Sequence, residues 1–384
     1  MLNIGVIGYG GRISDVIKMM MDVDEEICIK SITDVNQGDT KDRLKKKGLD
    51  AEEIRFFTDP DKMLDEVKVD GVLIGTRCSL HSRLGIKVLK RNIPLYLEKP
   101  VATNMDDLLA LKAAASETRS EVVVSFPLRV TPIVKLVKEI IDSGKLGTIE
   151  HVQTVNNVPY GGCYFHDWYR DENETGGLFL QKATHDFDYI NYLLGIKPVE
   201  ICAMTSKQIF KGDKPEGLYC RDCDEKKTCP EGPFVMKYLK YDDPNGDMCC
   251  FAKDTGNEDS GSAIIRYETG MHVSYTQNFF ARKKAAMRGA RLLGYNGTAE
   301  FDWYTDEVRV FMHNTERVES YKFDSSKMSH GGGDYVLAMN FINVMKGVEN
   351  SVSPLDAGLL SVLMCLKAKE SALNSTFQKI EWPQ

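Results

Sequence analysis

The residues best placed to do chemistry are Glu98-Lys99-Pro100, His185 with Asp188, and a run of glycines near residue 10. Lys99 follows the apolar run Pro94-Leu95-Tyr96-Leu97, which reads as a buried strand. A lysine at the carboxyl end of such a strand lies at the edge where open α/β sheets bind cofactor and substrate. There it can act as general acid or base if its surroundings draw its pKa toward neutrality. Pro100 biases Lys99 toward extended backbone and helps aim the side chain. His185 sits where a loop from Gly176 enters a helix with Phe187, Ile190 and Leu194 inward. Asp188, three positions on, shares its face and can orient the ring.

Gly8-Tyr9-Gly10-Gly11-Arg12-Ile13 closes the first apolar run, 3–8, and opens a helical stretch. Gly8 permits a tight turn, and Gly10 lets the backbone approach a pyrophosphate at the helix N-terminus. The third fingerprint position holds Ile13 rather than glycine or alanine. Either the helix packs more loosely there or the alignment shifts onto Gly11. Asp34, 24 positions beyond Gly10, ends the second strand. A carboxylate there accepts from ribose hydroxyls and repels a 2′-phosphate, and no arginine follows to welcome one. NAD is therefore expected over NADP. A turn aspartate capping its own loop would explain Asp34 without a ligand.

The elements that must position these residues alternate. Strands at 3–8, 27–33, 55–57, 71–75, 94–97 and 121–125 are separated by helices near 12–21, 39–47, 61–67, 81–90 and 105–118. The strands are short and mostly apolar, as in strands buried on both faces. This predicts an α/β Rossmann domain over 1–125, built on a doubly wound parallel sheet. Beyond 149 strands dominate, at 149–157, 199–206, 262–267, 272–277, 298–301, 308–312 and 318–323. Helices near 334–346 and 357–374 follow, so 126–384 reads as an α+β domain.

A chain of 384 residues suits two domains. Its net charge of -7 disfavours phosphate backbones, so no nucleic-acid partner is expected. No apolar run approaches the roughly 20 residues of a spanning helix, so no membrane partner is expected either. Met1-Leu2 opens into a strand with no basic leader, which leads to the expectation of a cytoplasmic protein. Ten cysteines in a reducing compartment call for uses other than disulfides first.

Five segments in order make the chain resemble the Gfo/Idh/MocA oxidoreductases from end to end. They are GVIGYGGRI at 5–13, IGTRCSLHSRLGIKVLKRNIPLYLEKP at 74–100 and FPLRVTPIVKLVKEIIDSGKLGTIEHV at 126–152. GGLFLQKATHDFDYINYLLG at 176–195 and SPLDAGLLSVLMCLKAKESA at 353–372 complete the set. YFHDWYRD at 164–171 and QKATHDFD at 181–188 resemble a narrower branch. The resemblance implies a C-terminal domain with a predominantly antiparallel open sheet, one face of which serves oligomerisation. A homo-oligomer, dimer or tetramer, is thus expected.

It also implies oxidation of a secondary hydroxyl on a sugar, glycoside, cyclitol or other polyol, with hydride passing to nicotinamide. Lys99 is the expected base, and His185 holds the position of the family's active-site histidine. Many relatives carry an aspartate four residues before that histidine; Gln181 stands here, able to hydrogen-bond a hydroxyl but not to titrate. Lys182 beside it is expected to raise local positive potential, lower a neighbour's pKa or hold an anionic group. A structural ion pair would equally explain it. Thr76, Arg77, His81 and Arg129, together with Glu98 and Lys99, are expected near the cofactor. The competing readings are a redox-neutral glycosidase or lyase working through a keto-sugar, and an NAD sensor without catalysis. A sensor needs neither Lys99 nor His185.

The loop before the histidine helix carries Tyr160, His166, Trp168 and Arg170. Their rings and donors suit the C–H faces and hydroxyls of a sugar, with Asp188 added to that substrate set. A buried loop anchored by its tryptophan is the plain alternative. His330 precedes a glycine run in which Asp334 is the expected helix N-cap. Residues 207–258 form a polar insertion with Cys220, Cys223, Cys229, Cys249 and Cys250. The first four are compatible with structural zinc, which could fold a segment having little apolar core. The second half lacks a C-x2-C, so free thiols or a disulfide stay open.

Overall fold

The computed structural model describes residues 1–239, 246–325 and 328–383. Part of the 207–258 insertion, 240–245, therefore lies outside the described residues. The chain divides into two compact units, Met1–Pro132 with Met328–Val362, and Ile133–Lys327 with Leu363–Gln384.

In the first unit β1 (Leu2–Ile7), β2 (Ile27–Thr33), β3 (Arg55–Phe57), β4 (Gly71–Ile74), β5 (Leu95–Leu97) and β6 (Val122–Val124) pair in parallel. Among the described residues they form one sheet ordered β3-β2-β1-β4-β5-β6. Helices cross between them, and several start on a side chain that accepts a free backbone N–H. Asn36 accepts from Asp39, Asp59 from Asp61 and Asn104 from Asp107. Ile7 pairs with Ile74, Ile74 with Leu97 and Leu97 with Val124. The strands thus end level, which sets Gly8, Gly75, Glu98 and Ser125 side by side along the carboxyl edge. The order reverses between β1 and β4, the switch point where such sheets bind ligands.

Although it lies more than 200 residues downstream, the helix Gly333–Met345 packs into the core of this unit. Its Leu337, Ala338, Phe341 and Ile342 join Ile4, Val6, Val16 and Ile17 in one buried cluster. Tyr96 meets Phe341 edge-on, with ring centroids 5.6 Å apart. A Cβ on Gly71 would stand 2.4 Å from Met345 Sδ, so a larger residue there would displace that side chain.

The second unit carries β7 (Ile149–Asn157), β8 (Pro198–Ser206), β9 (Ser260–Tyr267), β10 (His272–Asn278), β11 (Met287–Gly294), β12 (Gly297–Asp302), β13 (Glu307–Met312), β14 (Val318–Lys322) and β15 (Gln378–Lys379). Their order among the described residues is β14-β13-β12-β11-β7-β10-β9-β8-β15. The pairing is antiparallel except between β7 and β10. The predominantly antiparallel open sheet is therefore present. Along β9, Gly261, Ala263, Ile265 and Tyr267 are buried while Ser262, Ile264 and Arg266 face out.

The insertion is anchored on apolar residues outside it rather than on a core of its own. Phe210, Cys250 and partly buried Phe251 share a cluster with Val158, Tyr164, Phe165, Leu178 and Phe279. The rings of Phe165 and Phe210 lie 4.1 Å apart. Among the described residues no helix is long and apolar enough to cross a membrane.

Candidate active site

The glycine turn is built for close approach. Gly8 has φ +78°, and a Cβ there would meet Thr76 Cγ2 at 2.5 Å. Gly10 ends the turn, and the helix Gly11–Val23 begins with no side-chain cap. Its first N–H groups are left for a ligand, the arrangement that suits a pyrophosphate. Ile13 does not loosen the packing. The space that a glycine would give at that position is supplied from the opposite side, since a Cβ on Gly75 would stand 2.5 Å from Ile13 Cβ. Asp34 stands beside the turn, its Oδ2 accepting from Tyr9 N–H at 2.9 Å and its Oδ1 from Asn36 N–H at 2.9 Å.

Further along the edge, Glu98 and Arg12 belong to one polar network. Arg12 Nε donates to Glu98 Oε1 at 3.2 Å and its Nη1 to Asp334 Oδ2 at 2.8 Å. Ser125 Oγ donates to Glu98 Oε1 at 3.0 Å. Asp334 is not the helix N-cap; Gly332, at φ +86°, occupies that place. Burial opposes ionisation of Asp334, but hydrogen bonds from Arg12 and His330 outweigh it and hold the carboxyl far below the usual range. Arg129 is buried and donates to Val352 O at 3.2 Å. Arg77 is exposed and Thr76 half-buried.

His81 brackets the lysine. Its Nδ1 lies 2.8 Å from Pro100 O, immediately after Lys99, and its Nε2 lies 3.3 Å from Thr76 O on the β4 loop. Lys99 itself is half-buried and joined to Pro100 by a cis peptide. Burial lowers the His81 pKa below the ordinary value. The unfolded chain therefore binds this proton first, at about pH 6.5. His81 contributes stability that is complete above that pH and is lost as pH falls through its folded value. The urea midpoint is expected to drop between roughly pH 7 and pH 5, and less steeply in His81→Asn, when unfolding is followed by circular dichroism.

In the second unit the candidate residues gather on one stretch. A π-helical turn, Phe179–Ala183, leads into the helix Thr184–Leu194. Such turns recur at functional sites because they offset side chains from the regular helical rows. Gln181, Lys182, His185 and Asp188 all lie here and are buried. Gln181 Nε2 donates to Thr175 O at 3.0 Å. Lys182 Nζ donates to Tyr160 OH at 2.7 Å and stands 4.9 Å from the centre of the Tyr164 ring. Tyr160 is brought to Lys182; the other loop candidates go elsewhere. His166 Nδ1 donates to Met248 O at 2.7 Å, and Arg170 binds Cys249 O at 3.0 Å and Asp254 at 2.8 Å. Both thereby anchor the insertion. Trp168 stacks on Tyr169 at 3.8 Å.

Sequence reasoning missed Asp186 and Arg288. Asp186 is wholly buried, pairs with Arg288 at 2.8 Å, and accepts from Asn156 Nδ2 at 2.8 Å and Tyr275 OH at 2.9 Å. An acid next to His185 was visible, but its partner lies on β11, a strand the pattern did not show.

The zinc expectation gains no support. Cys220, Cys223, Cys229 and Cys249 do line one small cavity with Cys250 and His166. All are free thiols, yet among the described residues no group of three or more His, Cys, Asp or Glu could hold a metal ion. Burial pushes the Cys220 thiol up to about 12 and raises Cys229, Cys249 and Cys250 as well.

A parallel sheet of this order, with a glycine turn and an acid at its carboxyl edge, defines the dinucleotide-binding class of α/β proteins. Residues 2–126 match the family model described as oxidoreductase family, NAD-binding Rossmann fold, and 134–300 match the GFO/IDH/MocA C-terminal domain. The chain belongs to the Gfo/Idh/MocA oxidoreductases. It is 27% identical over 315 residues to the Bacillus subtilis strain 168 protein YteT, covering 72% of this chain and 73% of that one. It is 25% identical over 202 residues to the myo-inositol 2-dehydrogenase of Thermotoga maritima, covering 53% of this chain and 58% of the relative. A levoglucosan dehydrogenase solved with NADH and levoglucosan superposes with TM-score 0.78 at 18% identity over 100% of both chains, a likeness of fold.

Proposed function

We propose that the chain is an NAD-dependent dehydrogenase that oxidises a secondary hydroxyl of a sugar, glycoside or cyclitol. The observation that carries this reading is the level edge that gathers Gly8, Asp34, Glu98 and Lys99 beside an uncapped helix N-terminus. Relatives named as inositol and levoglucosan dehydrogenases support the substrate class and favour net oxidation over redox-neutral cleavage. Residues 1–125 carry the nucleotide in this reading, and 126–384 serve substrate and assembly. Gly8, Gly10 and Gly11 admit the pyrophosphate, and Asp34 takes the ribose hydroxyls, preferring NAD to NADP.

NAD, when bound, supplies the hydride acceptor. The proton is the protein's task. Lys99 takes it from the substrate hydroxyl, His185 is the second proton-handling group, and Gln181 accepts or donates a hydrogen bond without titrating. Exposed Met204, Ile264 and Met287 on the second unit's sheet support a homo-oligomer formed through that sheet. The reading also keeps the cytoplasmic expectation.

Incubation with NAD and a panel of sugars, cyclitols and glycosides, followed by mass spectrometry and nicotinamide absorbance, tests it. A product lighter by two hydrogens with matching NADH is expected. A cleaved glycoside with no NADH would replace this reading with the redox-neutral one.

A further inference from the structure

Tyr160 and Lys182 are far apart in sequence and meet at 2.7 Å, phenol oxygen to ammonium. Each is fixed from its own side. Tyr160 lies just beyond β7, and a Cβ on the next residue, Gly161, would stand 1.9 Å from Phe279 O, so this loop is pressed against the end of β10. Lys182 lies in the π-helical turn, whose first N–H, on Phe179, donates to Glu258 Oε1 at 2.6 Å. Lys182 is 5% exposed, whereas Tyr160 is 36% exposed. The cation is sheltered, while part of the tyrosine is open to solvent.

We propose that Tyr160, held by Lys182, is itself a proton acceptor for the substrate hydroxyl. This rests on the dehydrogenase reading above and adds a residue to it. As phenolate, Tyr160 is the final acceptor of the hydroxyl proton that Lys99 withdraws, so Lys99 returns to its starting state while the carbinol hydrogen leaves with its electron pair as hydride to NAD. Alcohol, NAD and tyrosinate thus become ketone, NADH and tyrosine, and the balance closes. Lys182 is the positioning residue.

The charges around the phenol fit this task. Desolvation opposes the phenolate, but Lys182 and then Arg288 outweigh it, and the Tyr160 pKa falls below the ordinary tyrosine value. Its other titratable neighbours, Cys163, Tyr164 and Tyr304, contribute no positive charge. Their own pKa values are raised, chiefly by burial, and they stay neutral at physiological pH.

The test has a readout that does not depend on turnover. Ultraviolet titration should show one tyrosine ionising below the other 15 of the chain's 16. That step should vanish in Tyr160→Phe and move to higher pH in Lys182→Met. With a substrate found by the panel, Tyr160→Phe should lower kcat by about 10²-fold or more and flatten the limb of the pH profile that Lys182→Met displaces. Absence of the low titration step overturns the proposal, as does a Tyr160→Phe enzyme within about twofold of the parent. Failure of the wild-type chain to oxidise any alcohol would instead overturn the dehydrogenase reading and the phenolate's role with it.

Discussion

Lys99→Met is expected to lower kcat by about 10³-fold while leaving NAD affinity within a few-fold. Proton transfer by a positioned side chain contributes roughly 10²–10⁴ in rate, and this is the term removed. Methionine keeps the length and apolar stem of lysine, so β5 and the His81 bridge to Pro100 O should stand. NAD binding, measured by quenching of intrinsic fluorescence, separates loss of the base from collapse of the edge. Loss of both together would mean that Lys99 holds the cofactor or the fold. Survival of turnover would remove Lys99 as the base. A Lys99→Arg variant sharpens the test, because arginine keeps the charge but does not release its proton in this pH range.

Much of the first unit was legible because its determinants are local. Each strand is a short apolar run, several helices carry their own cap, and the glycine turn and Asp34 carry their chemistry in their types. What was not legible depends on distant partners. Ile13 departs from the fingerprint, and only Gly75, across on β4, shows where the missing space comes from. Asp334 looks like a cap until Arg12 is seen to bind it. The helix Gly333–Met345 reads as part of the second half of the chain, and nothing in linear order reveals that its apolar face joins Ile4 and Val6.

In the second unit the antiparallel strands were mostly visible from their alternation. β11 was not, because Met287-Arg288-Gly289-Ala290-Arg291 breaks the apolar rhythm with a buried arginine and a glycine. Gly289 is required there, since a Cβ would stand 1.8 Å from Phe301 O. Arg288 points inward because Asp186 waits for it. Residue type alone was enough to single out Lys182, His185 and Tyr160 as candidates. The pairing of Tyr160 with Lys182 was not legible, since the two lie 22 positions apart on elements that only the fold brings together.

The Asp186–Arg288 pair carries the second large effect. Asp186 is fully buried and the Arg288 side chain is 9% exposed, so neither charge has water to fall back on. Removing one partner of such a pair costs about 3–5 kcal/mol, because the other is left as an uncompensated buried charge. The two single changes should not cost the same. Arg288→Met leaves Asp186 with its donors from Asn156 Nδ2 and Tyr275 OH. Asp186→Leu leaves a guanidinium whose charge had been stabilised chiefly by that carboxylate. Urea denaturation should therefore rank Asp186→Leu as the more damaging, with the double variant well short of the sum. Equal and additive losses would show that the two charges are independently solvated. Arg288→Met should also raise the titration of Tyr160, since it removes the second cation that draws that phenol down. A change in stability with no change in that titration would leave Lys182 as the phenol's whole electrostatic support.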